Sequence, residues 1–345
     1  MTRHVLALTL GDPAGIGPEI TAKTLAEQAG AADHHGVAVG DPAALRRGVA
    51  AMGLDVEVRV VDTFDTAPLA GAIDIFDTGV LGEDLPEWGK VDKRAGRAAI
   101  ASIEVATKAA MDQQVAGIVT GPIHKEAIWA AGSEHLGHTE MLGALTGVTQ
   151  QDTMFVVRNA AADGHHLRIF FTTRHVSLRK ALDQLTKEKI EESIRKANTA
   201  LEVFGVEKPR LAVAALNPHG GENGAFGDEE IVHITPACET TRAEGLDVYG
   251  PIPADSVFHQ GLIGRFDGVL SHFHDQGHIP AKTFDFDGTI SVTVGLPILR
   301  TSVDHGTAFD IAGTGRAGHG TMLSAYLAAV DYAPFVENIR RTYAV

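Results

Sequence analysis

Short apolar runs alternate along this chain with longer segments of helical periodicity, and nearly every run ends in a polar or glycine-rich turn. Val5–Leu10 and Ala116–Thr120 have the length of buried strands, whereas Asp92–Met111 keeps its apolar residues at helical spacing. Regular alternation of strands and helices is typical of parallel sheets, because two parallel strands need a crossover connection. The pattern therefore predicts an α/β fold with mostly parallel sheets.

The length of 345 residues is too great for one ordinary core and suits two domains. No flexible linker interrupts the chain, which indicates that it crosses between the domains more than once. We expect a discontinuous α/β domain of residues 1–125 plus 285–345, carrying both ends of the chain, and a central α/β domain of residues 126–284. A cleft between two such α/β/α domains would be the natural ligand pocket.

Some stretches are predicted to lack regular structure because they are rich in glycine, proline and polar residues. Gly277 and Pro280 are expected to break regular structure after the predicted strand Asp267–Leu270. The other irregular stretches are residues 62–90, the rigid turn Pro251–Asp255 and the polar loop Pro297–Gly306, whereas Ala308–Gly313 is predicted as a short helix.

The charge and cysteine content exclude several classes of function. A net charge of -15 argues against nucleic acid and anionic membranes as main partners. The single cysteine, Cys238, excludes an internal disulfide and fits a reducing compartment. The chain has no apolar run of membrane-spanning length, and we expect no signal peptide because the first apolar run is short and promptly broken by Gly11-Asp-Pro. We therefore expect a soluble, cytoplasmic protein.

The first apolar run is followed by the glycine-rich turn Gly11–Glu19. Pro18 suits the first turn of a helix, and Glu19 suits its positive end. Such turns often present backbone amides to anions. The spacing is neither that of a Rossmann nucleotide site nor that of a P-loop. A tight turn without a ligand explains the pattern equally well.

The stretch Ser271–Lys282 concentrates three imidazoles, a carboxylate and an amine after a predicted strand. His274 and Asp275 could bind a metal ion or transfer protons, and Lys282 could pair with an anion or act as a base. Such residues at a strand end suit a ligand site. A polar surface turn with a few histidines is an equal alternative.

Three histidines, His175, His219 and His274, each follow a predicted strand within a few residues. Parallel strands deliver such ends to one edge of a sheet. Three neutral imidazoles, completed by water or substrate oxygens, would bind zinc or another divalent ion. Since the chain has 17 histidines, their placement at strand ends by chance remains an alternative.

His138 and Thr139 begin a further predicted helix. At a helix start they could bind a phosphate or a carboxylate. Alternatively, Thr139 only caps the helix.

Five motifs then suggest a family: Gly11–Glu19, Gly137–Glu140, Leu216–Glu222, His274–Gly277 and Gly295–Thr307. Together and in this order they resemble the 4-hydroxythreonine-4-phosphate dehydrogenase family nearly end to end. That family is related in fold to isocitrate and isopropylmalate dehydrogenases, which bind NAD without the Rossmann fingerprint.

The resemblance implies a metal-dependent, NAD-linked oxidation of a secondary alcohol beside a carboxylate, followed by decarboxylation. The implied cofactors are NAD and a divalent ion, with zinc the first choice and magnesium, manganese or cobalt as alternatives. Members of the family are homodimers whose metal site draws residues from both subunits. The central domain would then carry the metal ligands and the dimer contacts.

The resemblance also implies roles for particular residues. The metal ligands would be His175, His219 and His274. The substrate contacts would be His138, Thr139, Lys282, Ser291 and Arg300. The cofactor contacts would be Asn217, Gly220, Glu222, Asp304, His305 and Gly306. Lys282, Asp255 and Asp275 are candidates for proton transfer or for orienting other groups, and the sequence does not rank them.

Some residues depart from the pattern of the family. Ser291 stands where asparagine is common, Arg174 replaces a small polar residue, and His272-Phe273 replaces Met-Tyr. His278-Ile-Pro and Ala308–Ala312 are closer to a sister group that acts on 4-phosphothreonate or 4-phosphoerythronate. A third relative oxidises a cyclic dihydrodiol dicarboxylate, but it lacks the Gly-His-Thr-Glu motif that this chain keeps.

The leading hypothesis is an NAD-dependent decarboxylating dehydrogenase of a phosphorylated four-carbon 3-hydroxy acid. A zinc hydrolase would use the same histidines to activate water, but the NAD-type loops argue against it. A ligand-binding protein without activity is disfavoured, because the three histidines, Lys282 and Arg300 are all retained.

Overall fold

The computed structural model describes residues 3–158, 161 and 164–344, which divide into two compact units. The strands are β1 (His4–Thr9), β2 (His34–Gly40), β3 (Glu57–Val61), β4 (Ala72–Asp77), β5 (Gly117–Thr120), β6 (Asp152–Val157), β7 (Leu167–Phe171), β8 (Arg210–Ala214), β9 (Asp247–Ile252), β10 (Gly268–Ser271), β11 (Thr289–Val294) and β12 (Leu299–Ser302). The helices are α1 (Gly17–Gln28), α2 (Pro42–Ala51), α3 (Lys93–Met111), α4 (Lys125–Ala130), α5 (His138–Thr146), α6 (Leu178–Asp183), α7 (Lys187–Val203), α8 (Thr235–Ala243), α9 (Ala254–Leu262), α10 (His274–Phe284), α11 (Gly320–Tyr332) and α12 (Val336–Tyr343).

The first unit comprises Met1–Gln151 and Gly295–Val345. Its strands lie in the order β3-β4-β2-β1-β5-β12, and each neighbouring pair is parallel. Ile103 of α3 packs with Val37 and Ile118 of the sheet in the buried core. Burial of each such side chain contributes roughly 1.5–3 kcal/mol.

The second unit, Asp152–Val294, has the strand order β11-β6-β7-β10-β8-β9. Strand β6 pairs antiparallel with β11 and β7, whereas the pairs from β7 to β9 are parallel. Its core gathers Phe155 and Phe171 with Phe258 of α9. The predicted α/β class with mostly parallel sheets is therefore confirmed.

The chain crosses between the units at 151/152 and 294/295, later than the expected boundaries at 125/126 and 284/285. The first difference arises because Met141 and Leu142 of α5 belong to the core of the first unit. The second arises because β11 pairs with β6. The expected cleft between domains remains a prediction.

The sequence also predicts paired strands over residues 153–158 and 166–173, on either side of a loop of residues 159–164. Strands β6 and β7 confirm this pair and are antiparallel. Residues 159, 160, 162 and 163 of that loop lie outside the described residues. In the described part of the chain, no helix is both long enough and apolar enough to cross a membrane.

Three irregular stretches contain strands, so those predictions were wrong. Residues 62–90 include β4, which pairs with β2 and β3. Pro297–Gly306 includes β12, whose four residues all pair with β5. Pro251 lies in β9, which is the last strand in the order of its unit, and proline is tolerated in an edge strand. Pairing between distant segments decided each case.

The helix predicted at Ala308–Gly313 is also absent. Ala308 has a left-handed φ of 42°, which a regular helix does not allow. The backbone N–H of Gly313 donates to the Glu19 carboxylate at 2.9 Å. A long-range hydrogen bond therefore holds this segment in a turn conformation.

The prediction that Gly277 and Pro280 break regular structure was wrong as well, because α10 runs through both residues. A Cβ built on Gly277 would lie 2.6 Å from the Phe171 ring and 2.8 Å from Ser271 Oγ. Glycine thus lets the helix pack closely on the sheet. That packing keeps the helix regular despite the N–H that Pro280 lacks.

This close packing generates a first prediction. Gly277→Ala should destabilise the protein by roughly 1–3 kcal/mol through overpacking, although alanine is the better helix former. Urea unfolding would measure the change. Gly318→Ala is the matched control, since a Cβ there meets no atom within 4 Å and should change stability little. Equal stability of the two variants would contradict the packing argument.

Candidate functional site

The three sequence-predicted metal histidines follow three neighbouring strands of the second unit. Strand β10 pairs parallel with β7 on one side and with β8 on the other. His175 follows β7, His274 follows β10 and His219 follows β8. The carboxyl ends of these strands therefore meet at one edge, as the sequence argument expected.

His175 and His274 lie close together at this edge, with their ring centroids 5.8 Å apart. Two imidazoles on one zinc ion, with ordinary Zn–N distances and a tetrahedral angle, would have centroids roughly 5 Å apart. His274 Nδ1 and Asp275 Oδ1 are 2.7 Å apart. A carboxylate that accepts from Nδ1 leaves Nε2 free to bind a metal ion. The His274 ring also stacks on His278, at 3.6 Å between centroids.

His219 is placed differently from the other two. It lies exposed in the segment Pro218–Gly224, in which six consecutive residues, beginning with His219, have left-handed φ values. Among residues 3–158, 161 and 164–344, no three His, Cys, Asp or Glu side chains are arranged as a metal-binding group. The structure thus brings two of the three predicted ligands together, and the three-histidine metal site remains a prediction.

A pocket of about 230 Å³ opens beside the two paired histidines. Arg174, which departs from the family pattern, reaches Asp152 at the start of β6 with an N–O distance of 3.1 Å. The Arg174 guanidinium therefore places a positive charge at the wall of this pocket. The residues that line the pocket are Arg174, His175, Val176, Leu178, Phe273, His274 and Asp275.

Glu230 anchors the segment that carries His219, and the sequence reasoning missed it. Its carboxylate accepts from the backbone N–H groups of Leu216 and Asn217 at 2.8 and 2.7 Å, and from the Asn217 side chain at 2.8 Å. Burial would raise the pKa of Glu230, but these hydrogen bonds outweigh it and lower the pKa. The Asn217 amide, expected at the cofactor, donates to Glu230 and Glu229.

The other predicted residues of the second unit are spread over several elements. Lys282 lies half-buried in the last turn of α10, and Ser291 is buried in β11. Asp255 is exposed in the first turn of α9, rather than in a rigid turn. Gly220 and Glu222 share the left-handed segment of His219.

Arg300 is a buried residue of β12 in the first unit, rather than part of a polar loop. Its Nε and Nη2 donate to Thr120 Oγ1 at 3.1 and 2.7 Å. The Thr120 hydroxyl in turn donates to Ser302 Oγ at 2.9 Å. Burial lowers the pKa of Arg300 to about 10, so the guanidinium stays charged at neutral pH.

His138 and Thr139 begin α5, as predicted, but Gly137 is the N-cap, so Thr139 is not the capping residue. The Nε2 atom of His138 is buried, with no hydrogen-bond partner among the described residues. Burial, assisted by the Arg300 charge, lowers the pKa of His138 well below its ordinary value. A neutral imidazole therefore lies near a buried cation at a helix N-terminus, which is a suitable environment for an anion.

The turn Gly11–Glu19 is held between two other loops of the first unit. Asp12 N–H donates to Pro122 O at 2.8 Å, and Ile16 N–H donates to Thr307 O at 3.0 Å. The buried Glu19 carboxylate accepts from Gly313 and Gly315 N–H, both at 2.9 Å. Thr307, Gly313 and Gly315 follow Asp304, His305 and Gly306 in the same loop. The hydrogen bonds therefore hold the loop that is expected to contact the cofactor.

Asp12 and His124 were missed as candidates for the site. Asp12 is fully buried, and its Oδ1 accepts from Ala14 N–H at 2.8 Å. Asp12 Oδ2 and His124 Nδ1 are buried atoms without a hydrogen-bond partner among the described residues. The His124 ring stacks on Phe309, at 4.6 Å between centroids. The sequence could have indicated both residues by their position, because Asp12 shortly follows β1 and His124 shortly follows β5 of the parallel sheet.

Comparison with known proteins identifies similar chains. The profile of the family described as "Pyridoxal phosphate biosynthetic protein PdxA" matches residues 32–329. A Cutibacterium acnes protein with the provisional name D-threonate 4-phosphate dehydrogenase is 55% identical over 341 residues, covering 98% of this chain and 96% of its own. A Symbiobacterium thermophilum protein with the same provisional name is 46% identical over 333 residues, covering 96% of this chain and 97% of its own.

Among solved structures, the chain is similar to the 4-hydroxythreonine-4-phosphate dehydrogenase of Klebsiella pneumoniae. The TM-score is 0.85 at 42% identity, covering 96% of this chain and 99% of the other. A terephthalate 1,2-cis-dihydrodiol dehydrogenase from Burkholderia xenovorans has a lower TM-score of 0.64 at 30% identity, covering 95% and 98%.

The buried Asp12 generates a second prediction. Burial raises the pKa of its carboxyl from 3.8 to about 6. As pH rises from 3.8 to about 6, the Asp12 carboxyl loses its proton in the unfolded chain before it does so in the folded protein. The free energy of unfolding therefore falls, by a total on the order of 3 kcal/mol once the pH is above the folded pKa. Asp12→Asn keeps the acceptor for Ala14 N–H but cannot ionise. Its stability relative to the parent should therefore increase between about pH 4.5 and about pH 7.

Urea unfolding at several pH values would measure this difference. Asp55→Asn is the control, because the Asp55 side chain is exposed. A stability difference between Asp12→Asn and the parent that does not change with pH would contradict the prediction.

Proposed function

The chain belongs to the PdxA family, and from this membership we propose that it is an NAD- and metal-dependent dehydrogenase of a phosphorylated four-carbon 3-hydroxy acid, with D-threonate 4-phosphate as its substrate. The provisional names of its similar relatives support the hydroxyl, rather than the amine, at C2. His278-Ile-Pro and Ala308–Ala312, which are closer to the sister group, support the same choice.

The proposed reaction oxidises the C3 alcohol of the substrate. The C3 hydride goes to NAD, and the hydroxyl proton goes to a base. The product carries a ketone at C3, β to the C1 carboxylate, and loses carbon dioxide when the electrons of the C1–C2 bond move into an enolate. Protonation at C2 then gives a three-carbon hydroxyketone phosphate.

The observation that carries this proposal is the anion-binding environment at the start of α5. Arg300 supplies a buried positive charge, and His138 supplies a buried ring nitrogen without a partner among the described residues. The N-cap of α5 is Gly137, which has no side chain to cap the first turn, and the backbone N–H groups of a first turn can donate to an anion. In a protein of net charge -15, a phosphate dianion needs such local compensation.

The metal ion would be held by His175 and His274, with His219 as the proposed third ligand. When bound, a divalent ion lowers the pKa of the substrate hydroxyl and stabilises negative charge on its oxygen. Asp275, by accepting from His274 Nδ1, orients that imidazole. Asp275 is thereby a positioning group rather than the proton acceptor.

NAD accepts the hydride when it is bound. We propose that Asp304, His305 and Gly306 of the first unit and Asn217, Gly220 and Glu222 of the second contact it. Glu19 holds the loop that begins with Asp304, His305 and Gly306, because its carboxylate accepts from Gly313 and Gly315 N–H. Glu230 holds the loop of the latter group through Asn217. Both loops are thus fixed by buried carboxylates.

For proton transfer we propose Lys282 over Asp255. Lys282 is half-buried in α10, the helix that begins at His274, whereas Asp255 is exposed on α9. The homodimer implied by the family remains part of the proposal.

A substrate panel tests the function. The chain, loaded with zinc and given NAD, should produce NADH fastest with D-threonate 4-phosphate, more slowly with 4-phosphoerythronate and 4-phosphohydroxythreonine, and not with unphosphorylated threonate. NADH absorbance and carbon dioxide release should be equimolar. Release of inorganic phosphate without NADH would instead indicate a metal-dependent hydrolase and would reject the proposal.

The phosphate contacts generate a further prediction. His138→Ala removes a buried nitrogen and should raise KM for the phosphorylated substrate by about tenfold or more, since charge-assisted hydrogen bonds contribute roughly 1.5–3 kcal/mol. Arg300→Lys keeps the charge but loses the planar fork, and should have an effect in the same direction. His135→Ala, three residues before His138, serves as the control.

The second readout is the ratio of kcat/KM for the phosphorylated substrate to kcat/KM for the unphosphorylated one. Both variants should lose most of the parent's preference for phosphorylated over unphosphorylated substrate. Equal losses on both substrates, together with a lower melting temperature, would mean that these side chains only stabilise the fold.

A further inference from the structure

His272 joins the ends of the three strands that precede the predicted metal histidines. It follows β10 directly and is only 1% exposed. Its Nε2 lies 2.7 Å from Ala214 O at the end of β8, and its Nδ1 lies 3.3 Å from Thr172 Oγ1, just after β7. One side chain at the end of the central strand therefore bonds to residues at the ends of both flanking strands.

The chemistry of the partners determines the tautomer. The Ala214 carbonyl can only accept, so Nε2 must carry the proton and donate. Nδ1 is then the acceptor and receives the proton of the Thr172 hydroxyl. The neutral ring thus uses both nitrogens, as a buried polar group requires.

The backbone of His272 strengthens the same junction. Its carbonyl accepts from Thr173 Oγ1 at 2.8 Å and from Thr173 N–H at 3.2 Å. Its N–H donates to Gln276 Oε1 at 2.7 Å, and Gln276 Nε2 donates to Ala215 O at 2.8 Å. The partners Thr172 and Thr173 lie within three residues of His175. Ala214 and Ala215 shortly precede the segment that carries His219, and Gln276 lies in the first turn of the helix that begins at His274.

We propose that His272 is a positioning residue, which sets the mutual placement of the loops that carry His175, His219 and His274. An apolar side chain here would leave Ala214 O and Thr172 without these bonds. The role rests on the proposed function only in that the histidines bind a metal ion. The junction itself consists of hydrogen bonds within the chain.

The test compares three variants. His272→Met removes both side-chain bonds. His272→Gln keeps a donor for Ala214 O and is the conservative rescue. Thr241→Val is the matched control, because among the described residues the buried Thr241 hydroxyl bonds only to Ala237 O and Cys238 O of its own helix. Thermal melting of each metal-free protein establishes that it folds and how much stability it loses.

Cobalt(II) serves as the metal probe, titrated by its visible absorption. Loss of an outer partner of a metal site typically weakens binding 10–100-fold. We expect His272→Met to weaken cobalt binding at least tenfold, His272→Gln to recover much of it, and Thr241→Val to bind as the parent does despite a lower melting temperature. Equal cobalt affinity for His272→Met and the parent would overturn the proposal.

Hydrogen exchange of the metal-free proteins separates this inference from the metal site. His272→Met should speed exchange in both residues 172–176 and residues 215–224, and Thr241→Val in neither. If the parent binds no cobalt but this pattern holds, the metal part of the proposed function fails and the positioning role stands. Unchanged exchange in both segments would overturn the positioning role whatever the cobalt result.

Discussion

Parallel strand pairing is the constraint on which both candidate binding regions depend. In the first unit it brings the ends of β1, β5 and β12 together, and in the second unit the ends of β7, β10 and β8. Each strand ends in a loop whose backbone polar groups must find partners as it leaves the sheet. The side chains that follow these strands therefore either complete the hydrogen bonding of the edge or are available to a ligand.

The polar residues at the two edges fall into these two groups. Glu19, Glu230 and His272 are buried and use their polar atoms to bond loop or strand ends. Asp12 and His138, in contrast, each keep a buried atom without a partner among the described residues. Burial raises the pKa of Asp12 and lowers that of His138, so both are shifted toward the neutral form. Unsatisfied buried groups reduce stability, and their concentration at a sheet edge is typical of a binding site.

The contrast between Glu230 and Asp12 shows how local bonding decides the charge of a buried carboxyl. Both side chains are almost fully buried. Glu230 accepts hydrogen bonds from Leu216 and Asn217, and its pKa falls despite burial. Burial raises the pKa of Asp12, the one hydrogen bond from Ala14 N–H offsets only part of this rise, and the like charge of Asp92 adds to it. The number of donors aimed at the carboxyl, rather than burial alone, separates a structural anchor from a group that can gain or lose a proton near neutral pH.

The sequence by itself determined the α/β class, the β6–β7 hairpin, the family and the placement of the candidate residues after strands, because hydrophobic periodicity, turn residues and motifs are local signals. It did not reveal β4 or β12, nor that α10 continues through Pro280, because strand pairing and close packing at Gly277 override local preference. It also gave no sign that Asp12 and His124 would keep buried atoms without a partner in the described part of the chain, or that His272 would bond to the ends of two flanking strands. Those properties depend on which distant groups become neighbours and on how much water they lose, and only the tertiary structure decides both.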